Sequence, residues 1–254
     1  MKKILILQGG YNEEHEVSIN TAKEVAKVLK RLKIYFKVIN VNPETFTEDI
    51  LKFSNDHVCF NALHGTFGED GTIQKILKIN KFKVTHSNQT SSLKCFDKIK
   101  SKNLIKKFKI ITPSFKIIKL KDIDYKYLNK VKKSFQKFIL KPVSSGSSYG
   151  LKIIKSNKEL DIFFKELKKF KNKFNYNKKF LIEKYISGKE LTVSILETGL
   201  VLRPLEVTEI VSLNESYDYQ AKYTKGFSKH YIPARISKNN YIKCLGLALK
   251  IHKI

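Results

Sequence analysis

Long apolar runs are missing from this sequence of 254 residues. Lysine interrupts every apolar stretch before it reaches the roughly 20 residues that a membrane-spanning helix needs, and the apolar start ends at Gln8, too early for a signal peptide. Cysteine is scarce as well, since only Cys59, Cys95 and Cys244 occur, far apart and in apolar surroundings. These absences exclude a disulfide scaffold and predict a cytoplasmic protein with reduced thiols and no membrane partner.

Arginine is rare although the chain is strongly basic. The formal net charge is +27, from 50 basic and 23 acidic residues, but only Arg31, Arg203 and Arg235 are arginine. Specific readers of nucleic acid depend on the forked guanidinium group, and the lysines spread along the whole chain. We interpret them as a solvated surface and expect no specific nucleic-acid partner. A lysine-rich nucleic-acid-binding protein is the alternative.

Two common glycine-rich phosphate motifs are also missing. The segment NALHGTFGEDGTIQ lacks the dinucleotide fingerprint GxGxxG, and the glycine–lysine–hydroxyl triplet of a P-loop occurs nowhere in the chain. No second histidine stands at ligand spacing from His64, which argues against a metal site there. What is present, 42% hydrophobic and 29% charged residues, is typical of a globular protein that needs no disulfide or metal to stabilise its core.

Strand and helix patterns alternate in the first third of the chain. Apolar runs predict strands at 3–7, 35–41 and 58–63, and helical spacing predicts helices at 17–32 and 72–79. This alternation predicts an α/β domain with a parallel sheet and right-handed crossovers. A lysine-rich helix is then predicted at 91–108. Locally paired strands at 114–118, 138–141, 151–154, 180–185, 191–196 and 201–206 and a terminal helix at 239–253 follow. The change places a domain boundary near residue 90.

Seven of the 11 glycines form three clusters, each after a predicted strand: Gly9 and Gly10, then Gly65, Gly68 and Gly71, then Gly146 and Gly150. Ligands bind outside the carboxyl ends of strands in open α/β sheets, where glycine lets the backbone approach closely. A simple turn explains any single cluster better, but three together favour a binding site.

Charged and hydroxyl groups accompany these glycines. Glu13, Glu14 and Glu16 surround the start of the first predicted helix; the helix dipole explains at least one of them, and another could face a ligand ammonium group. In FILKPVSSGSSYGLKII, four serine hydroxyls and backbone N–H groups suit phosphate oxygens, with Lys141 supplying positive charge. A flexible serine-rich hairpin is the alternative for that segment.

Seven segments occur in the order found in D-alanine–D-alanine ligases of the ATP-grasp superfamily: GGYNEEHEVSI, LHGTFGEDGTIQ, CFDKIKSK, LKPVSSGSSYG, EKYISGKELTVSIL, RPLEV and YDYQAKY. The sequence resembles this family from residue 3 to its end. The resemblance implies a parallel-sheet (Rossmann-like) α/β domain at 1–90, followed by the two α+β parts of an ATP-grasp fold at 91–180 and 181–254. It also implies ATP-dependent ligation of two D-alanines for cytoplasmic peptidoglycan synthesis, Mg²⁺ or Mn²⁺, and a homodimer.

The resemblance also implies residue roles at the substrate site. Glu14 would hold the ammonium group of the first D-alanine, with Ser18 and His64 near its carboxylate. Ser147 and Tyr223 would hydrogen-bond with Glu14 and close a loop over the substrates. In the family, tyrosine at the position of Tyr223 accompanies D-alanine as second substrate, and phenylalanine accompanies D-lactate.

Further roles concern ATP. The implied phosphate-binding residues are Lys98, Lys141 and Lys222, the adenine-binding residues are Glu183, Lys184 and Ile186, and the ribose-binding acid is Glu190. The chemistry agrees with these residue types, because an acyl phosphate must form from a carboxylate and lysines neutralise the transferring phosphoryl group.

One departure from the family pattern concerns its end. The family continues past the terminal helix into strands with an arginine, an aspartate and a Glu-x-Asn pair, which hold the metal ions, but no Glu-x-Asn occurs in this sequence. We therefore expect a ligase with a truncated ATP-grasp fold, without metal ligands and inactive in its 254-residue form. The alternative within the same class is a D-alanine–D-lactate ligase or another ATP-grasp carboxylate–amine ligase. The alternative from another functional class is a lysine-rich nucleic-acid-binding protein on a dead ligase fold.

Overall fold

The computed structural model describes residues 3–175, 177–213 and 217–254, which fall into two compact units. Unit 1 contains the described residues up to Ser101 together with Val143–Ser147, and unit 2 contains Lys102–Pro142 and the described residues from Ser148 to Ile254. No helix among these residues is long and apolar enough to cross a bilayer. The three-part division at 1–90, 91–180 and 181–254 stays a prediction.

Unit 1 is built on a four-stranded parallel sheet of order β2-β1-β3-β4, as the alternating pattern predicts. Its elements are β1 (Lys3–Gly9), α1 (His15–Arg31), β2 (Phe36–Val41), α2 (Phe46–Ile50), β3 (His57–Asn61), α3 (Thr72–Ile79), β4 (Lys83–Val84) and α4 (Gln89–Phe96). The helix α5 (Lys98–Lys107) follows and continues into unit 2.

Strand β1 is the centre of unit 1, because both of its faces are covered. Leu5 and Leu7 pack on one face in a cluster with Phe46, while Ile6 points to the other face and packs with Ala22 of α1. Successive strand residues point to opposite faces, so a strand buried on both sides requires an unbroken apolar run. The run ILIL meets that requirement, and Gly9 and Gly10, where β1 ends, lie at the carboxyl edge of the sheet.

Unit 2 contains two sheets and a hairpin. The antiparallel sheet β5-β8-β6-β7 packs against helices, a second sheet has the order β13-β12-β9, and β10 pairs with β11. The elements are β5 (Phe115–Lys119), α6 (Tyr125–Phe135), β6 (Phe138–Pro142), β7 (Lys152–Ile154), α7 (Asn157–Lys165), α8 (Leu167–Lys171), β8 (Lys179–Lys184), β9 (Glu190–Thr192), β10 (Ile195–Thr198), β11 (Val201–Pro204), β12 (Thr208–Ser212), α9 (Tyr219–Tyr223), β13 (Ser228–Tyr231) and α10 (Lys238–His252). Phe138 and Phe180 are fully buried in the core of this unit.

Two elements that the sequence predicts to be continuous are each divided in the structure. The helix predicted at 91–108 is two helices, because Asp97 between them is extended (ψ 104°). Its carboxylate accepts hydrogen bonds from the N–H groups of Ile99 and Lys100 at 2.9 and 3.0 Å and so caps α5. The strand predicted at 191–196 is also broken, since β9 ends at Thr192 and β10 begins at Ile195.

A buried carboxylate ties together the sheet that contains β12. Glu209 is only 3% exposed, and it accepts hydrogen bonds from the Arg235 guanidinium at 3.0 and 3.1 Å and from Lys189 Nζ at 2.9 Å. The Arg235 guanidinium also lies 3.5 Å from the centre of the Tyr231 ring in β13. Arg235, followed by Lys189, holds the pKa of Glu209 at about 2.

This lowered pKa predicts a loss of stability in acid. An unfolded glutamate has a pKa of about 4.3, so the contribution of Glu209 is fully present above that pH and is lost as the pH falls toward 2. We expect Glu209→Gln to lower the Tm at neutral pH, and the difference from wild type to shrink between about pH 5 and about pH 2.5. Glu197→Gln, at an exposed glutamate of β10, is the control and should change the Tm little at any pH. A Glu209→Gln difference that is constant across this range contradicts the assignment.

Candidate functional site

In unit 1 a carboxyl group is enclosed at the carboxyl edge of the parallel sheet. Glu14 directly precedes α1, is 3% exposed and accepts a hydrogen bond from the Ser147 hydroxyl. Ser147 has a φ of 45°, in the left-handed region that side chains with a Cβ rarely adopt. Such a conformation persists where surrounding contacts determine it, so the contact with Glu14 helps to fix the loop formed by residues 144–148, here called the serine loop.

Two glycines make room for this carboxyl group. A Cβ added to Gly65, whose φ is +68°, would lie 2.6 Å from Glu14 Oε2, and one added to Gly146 would lie closer still. Asn12 holds the backbone on both sides of Gly65 in place, because its Nδ2 donates to the carbonyl oxygens of His64 at 2.7 Å and Thr66 at 3.0 Å. Gly65 of the second glycine cluster and Gly146 of the third therefore both lie against Glu14.

The other predicted substrate residues of unit 1 have polar contacts of their own. Ser18 is fully buried, and its hydroxyl accepts a hydrogen bond from Gly9 N at 2.9 Å. His64 is partly exposed, with Nε2 3.0 Å from the Thr21 hydroxyl and Nδ1 3.7 Å from Glu69 Oε1. These contacts orient the imidazole ring and hold the Ser18 hydroxyl at the first glycine cluster.

Lys98 lies beside the serine loop. Its ammonium group donates to the carbonyl oxygen of Ser145 at 2.9 Å and to that of Val143 at 3.3 Å. Lys98 begins α5, and the Asp97 cap fixes where that helix starts. The ammonium group is thereby held at residues whose hydroxyl and N–H groups suit phosphate oxygens.

In unit 2 the predicted residues Lys141 and Glu183 form an ion pair. Lys141 of β6 and Glu183 of β8 lie on adjacent strands, and Lys141 Nζ is 2.5 Å from Glu183 Oε2. The other carboxylate oxygen pairs with Lys102 of α5. Burial raises the pKa of Glu183, but the hydrogen bonds from Lys102 and Lys141 outweigh it and hold the pKa below its usual value. Sequence reasoning missed Lys102, which is 6% exposed.

The remaining predicted residues follow β8 or lie near α9. Lys184 ends β8 and Ile186 is 61% exposed in the segment that follows. Partial desolvation raises the pKa of Glu190, against the opposing effect of the Lys222 ammonium group.

Tyr223 ends α9, which is capped by the carboxylate of Asp218. Its ring packs on that of Tyr219, with centroids 4.9 Å apart, and it is 42% exposed. The predicted hydrogen bonds from Tyr223 to Ser147 and Glu14 stay a prediction. Within the residues that the structure describes, no group of three or more His, Cys, Asp or Glu side chains could hold a metal ion.

Comparison with known proteins gives one consistent result. Residues 104–254 match the family described as the D-ala D-ala ligase C-terminus. The chain is 36% identical over 250 residues to a D-alanine–D-alanine ligase of Wolbachia pipientis wMel, covering 98% of this chain and 74% of the relative. It is 38% identical to the enzyme of that name from Pelagibacter ubique, covering 100% of this chain and 79% of the relative.

Solved structures show the same relationship. A crystal structure of the D-alanine–D-alanine ligase of Bacillus anthracis matches with a TM-score of 0.76 at 27% identity, covering 100% of this chain and 78% of that one. A second structure of the same enzyme, complexed with ATP, matches with a TM-score of 0.74 at 27% identity, covering 99% of this chain and 77% of that one. The described fold therefore agrees with the expected parallel-sheet domain and ATP-grasp fold.

The close approach of Gly146 to Glu14 predicts opposite effects of alanine at two glycines. Gly146→Ala forces a methyl group into the carboxyl group and should lower the free energy of unfolding by about 1–3 kcal/mol, as overpacking commonly does. Gly246→Ala is the matched control, because Gly246 lies exposed in α10 with open space around it. It should raise stability by about 0.5–1 kcal/mol through helix propensity. Urea unfolding measures both, and equal effects contradict the enclosed site.

Proposed function

This chain belongs to the D-alanine–D-alanine ligase family, and we propose that it uses ATP to join two D-alanines into D-alanyl-D-alanine. The observation that carries the proposal is the Glu14 carboxyl group, buried beside the Ser147 hydroxyl at the carboxyl edge of a parallel sheet. Such an edge is where α/β proteins bind their ligands.

The first D-alanine is assigned to unit 1. Its ammonium group pairs with the Glu14 carboxylate, since a buried acid suits a cationic ligand group. Ser18 and His64 receive its carboxylate, and the contacts of His64 with Thr21 and Glu69 support an oriented ring. Tyr223 joins Ser147 and Glu14 when the serine loop closes over the substrates.

ATP is assigned to the lysines and to the segment after β8. Lys98, Lys141 and Lys222 bind phosphate oxygens, for which ammonium groups supply point charges. The backbone at Lys184 and Ile186 binds the edge of the adenine ring together with Glu183, and Glu190 accepts hydrogen bonds from the ribose hydroxyls. The pairing of Lys141 with Glu183 supports the part of this assignment that lies in unit 2.

The proposed reaction has two steps. A carboxylate oxygen of the first D-alanine attacks the γ-phosphorus of ATP, the bond to the bridging oxygen breaks, and ADP leaves an acyl phosphate behind. The amino group of the second D-alanine then attacks the acyl carbon, inorganic phosphate leaves, and the nitrogen gives up a proton. Lysines offset the charge of the transferring group, and the closed loop keeps water from the acyl phosphate.

The finer predictions from the resemblance complete the proposal. Peptidoglycan synthesis in the cytoplasm and a homodimer remain part of it. Mg²⁺ or Mn²⁺ is the cation that the family uses, but the described residues contain no set of acids, histidines and cysteines that fits one. No step of the reaction is therefore assigned to a metal.

Nucleotide binding tests the phosphate lysines. A hydrogen bond to a charged group contributes about 1.5–3 kcal/mol, so Lys98→Ala and Lys141→Ala should each weaken ATP binding about 10- to 150-fold in calorimetric titration. Lys126→Ala, at an exposed lysine of α6, is the matched control and should leave the Kd unchanged. Unchanged affinity in both test variants contradicts the phosphate assignment.

The choice of second substrate tests Tyr223. With ATP, D-alanine and D-lactate supplied together to a chain that carries all of the family's strands, we expect the ligated product to be D-alanyl-D-alanine, because tyrosine at this position accompanies D-alanine in the family. Mass spectrometry of the products distinguishes the dipeptide from D-alanyl-D-lactate, and Tyr223→Phe should raise the share of the latter. A wild-type product that is mainly D-alanyl-D-lactate would identify the alternative ligase.

A further inference from the structure

Lys102 carries its charge in the interior of unit 2, where it makes three polar or aromatic contacts. It pairs with Glu183, donates to the Thr112 hydroxyl at 2.6 Å and lies 5.0 Å from the centre of the Phe115 ring. Its side chain is 8% exposed. Removing an ammonium group from water costs free energy unless polar partners compensate for it. The contacts with Glu183, Thr112 and Phe115 therefore hold the Lys102 ammonium group in one position.

Glu183 divides its two oxygens between two lysines that differ in access to solvent. Oε1 pairs with Lys102, and Oε2 lies 2.5 Å from Nζ of Lys141. The Lys141 side chain is 23% exposed, about three times as much as that of Lys102. Lys141 is therefore the lysine that an entering ligand can reach, whereas Lys102 is enclosed behind the carboxylate.

We propose that Lys102 is a positioning residue of the nucleotide site, which stays paired with Glu183 when Lys141 turns to the ATP phosphates and so keeps Glu183 a hydrogen-bond acceptor for the adenine amino group. This inference rests on the proposed function. Phosphate oxygens compete with Glu183 for the Lys141 ammonium group. Once Lys141 moves, Glu183 would be a buried anion without a counter-charge if Lys102 were absent, and such a group takes up a proton instead.

The charge state of Glu183 decides which base it accepts. An ionised carboxylate only accepts hydrogen bonds, whereas a protonated one also donates. Adenine presents an amino group at its 6-position and hypoxanthine a carbonyl oxygen. Glu183 held ionised by Lys102 therefore favours ATP over ITP, and a Glu183 that takes up a proton loses that preference.

Affinities for ATP and ITP in parallel titrations test the inference. Lys102→Met keeps most of the stem without the charge, and we expect it to reduce the ratio of ATP to ITP affinity at least about tenfold, the scale of a charged hydrogen bond. Lys106→Met is the matched control, because Lys106 lies on the same helix, exposed, with Nζ 4.5 Å from the same Phe115 ring. It should leave the ratio unchanged, and Lys102→Arg should largely preserve it. An unchanged ratio in folded Lys102→Met overturns the inference.

A second readout separates positioning from general support of the fold. The groups with a charge effect on Glu183 are Lys102 from α5 and Lys141 from β6. Without Lys102 the pKa of Glu183 rises. As the pH is lowered, ATP affinity should therefore begin to fall at a higher pH in Lys102→Met than in wild type. If Lys102→Met does not fold, Thr112→Val decides, since it removes only the hydroxyl that Lys102 contacts. It should reduce the ATP-to-ITP ratio severalfold, and an unchanged ratio overturns the inference.

Wild-type protein distinguishes the two proposals. A wild-type chain that binds no ATP contradicts the proposed function. A wild-type chain that binds ATP and ITP equally well, or one whose preference survives Lys102→Met, overturns only the role of Lys102.

Discussion

A carboxyl group taken out of water must find hydrogen-bond donors, and this requirement fixes which segments of the chain meet. Glu14, Glu183 and Glu209 are the buried acids among the described residues. Their donors are distant in sequence: Ser147 lies 133 residues from Glu14, and Lys102 lies 81 residues from Glu183. Leaving a buried donor or acceptor unsatisfied commonly costs about 1–3 kcal/mol, and more when the group is charged. Local propensity cannot bring such segments together, but the acids do.

Much of the fold could be predicted from the sequence, because its signals are local. The unbroken apolar run of β1 and the alternation after it predict a buried parallel strand and crossovers, and the sheet order agrees. The capping signals were present too but went unused. Ser156 and Glu159 form a capping box that opens α7, and Asp124 caps α6, two helices that the predicted elements omit. Asp97 likewise divides α4 from α5. Its side chain caps the N-terminus of α5, although the lysine-rich sequence around it predicts a single helix.

The site was only partly accessible to sequence reasoning. Family resemblance picks out Glu14, Lys141 and Glu183 as residue types at matching positions, and the structure gives each a polar contact. Lys102 ends the matched segment CFDKIKSK, but the resemblance assigns it no role. By type alone it is one of 47 lysines among 50 basic residues, on a helix rich in them. Its burial, and not its type, distinguishes it from its exposed neighbour Lys106. The burial of Lys102 depends on its pairing with Glu183 in β8, which lies 81 residues away in the sequence. The local sequence around residue 102 therefore cannot reveal it.

The two clusters in which an acid meets two cations differ in where the surplus positive charge lies. At Glu209, the side chains of Arg235 and Lys189 are about half exposed, so water solvates the charge that the carboxylate does not balance. At Glu183, both lysines are largely enclosed, and the effective dielectric is lower there. Solvent compensates the surplus positive charge poorly in the Glu183 cluster. An anion that reaches Lys141 is therefore attracted more strongly than one that reaches Arg235 or Lys189. The same ratio of charges therefore stabilises a sheet in one place and favours an entering anion in the other. The exposure of the cations decides between the two outcomes.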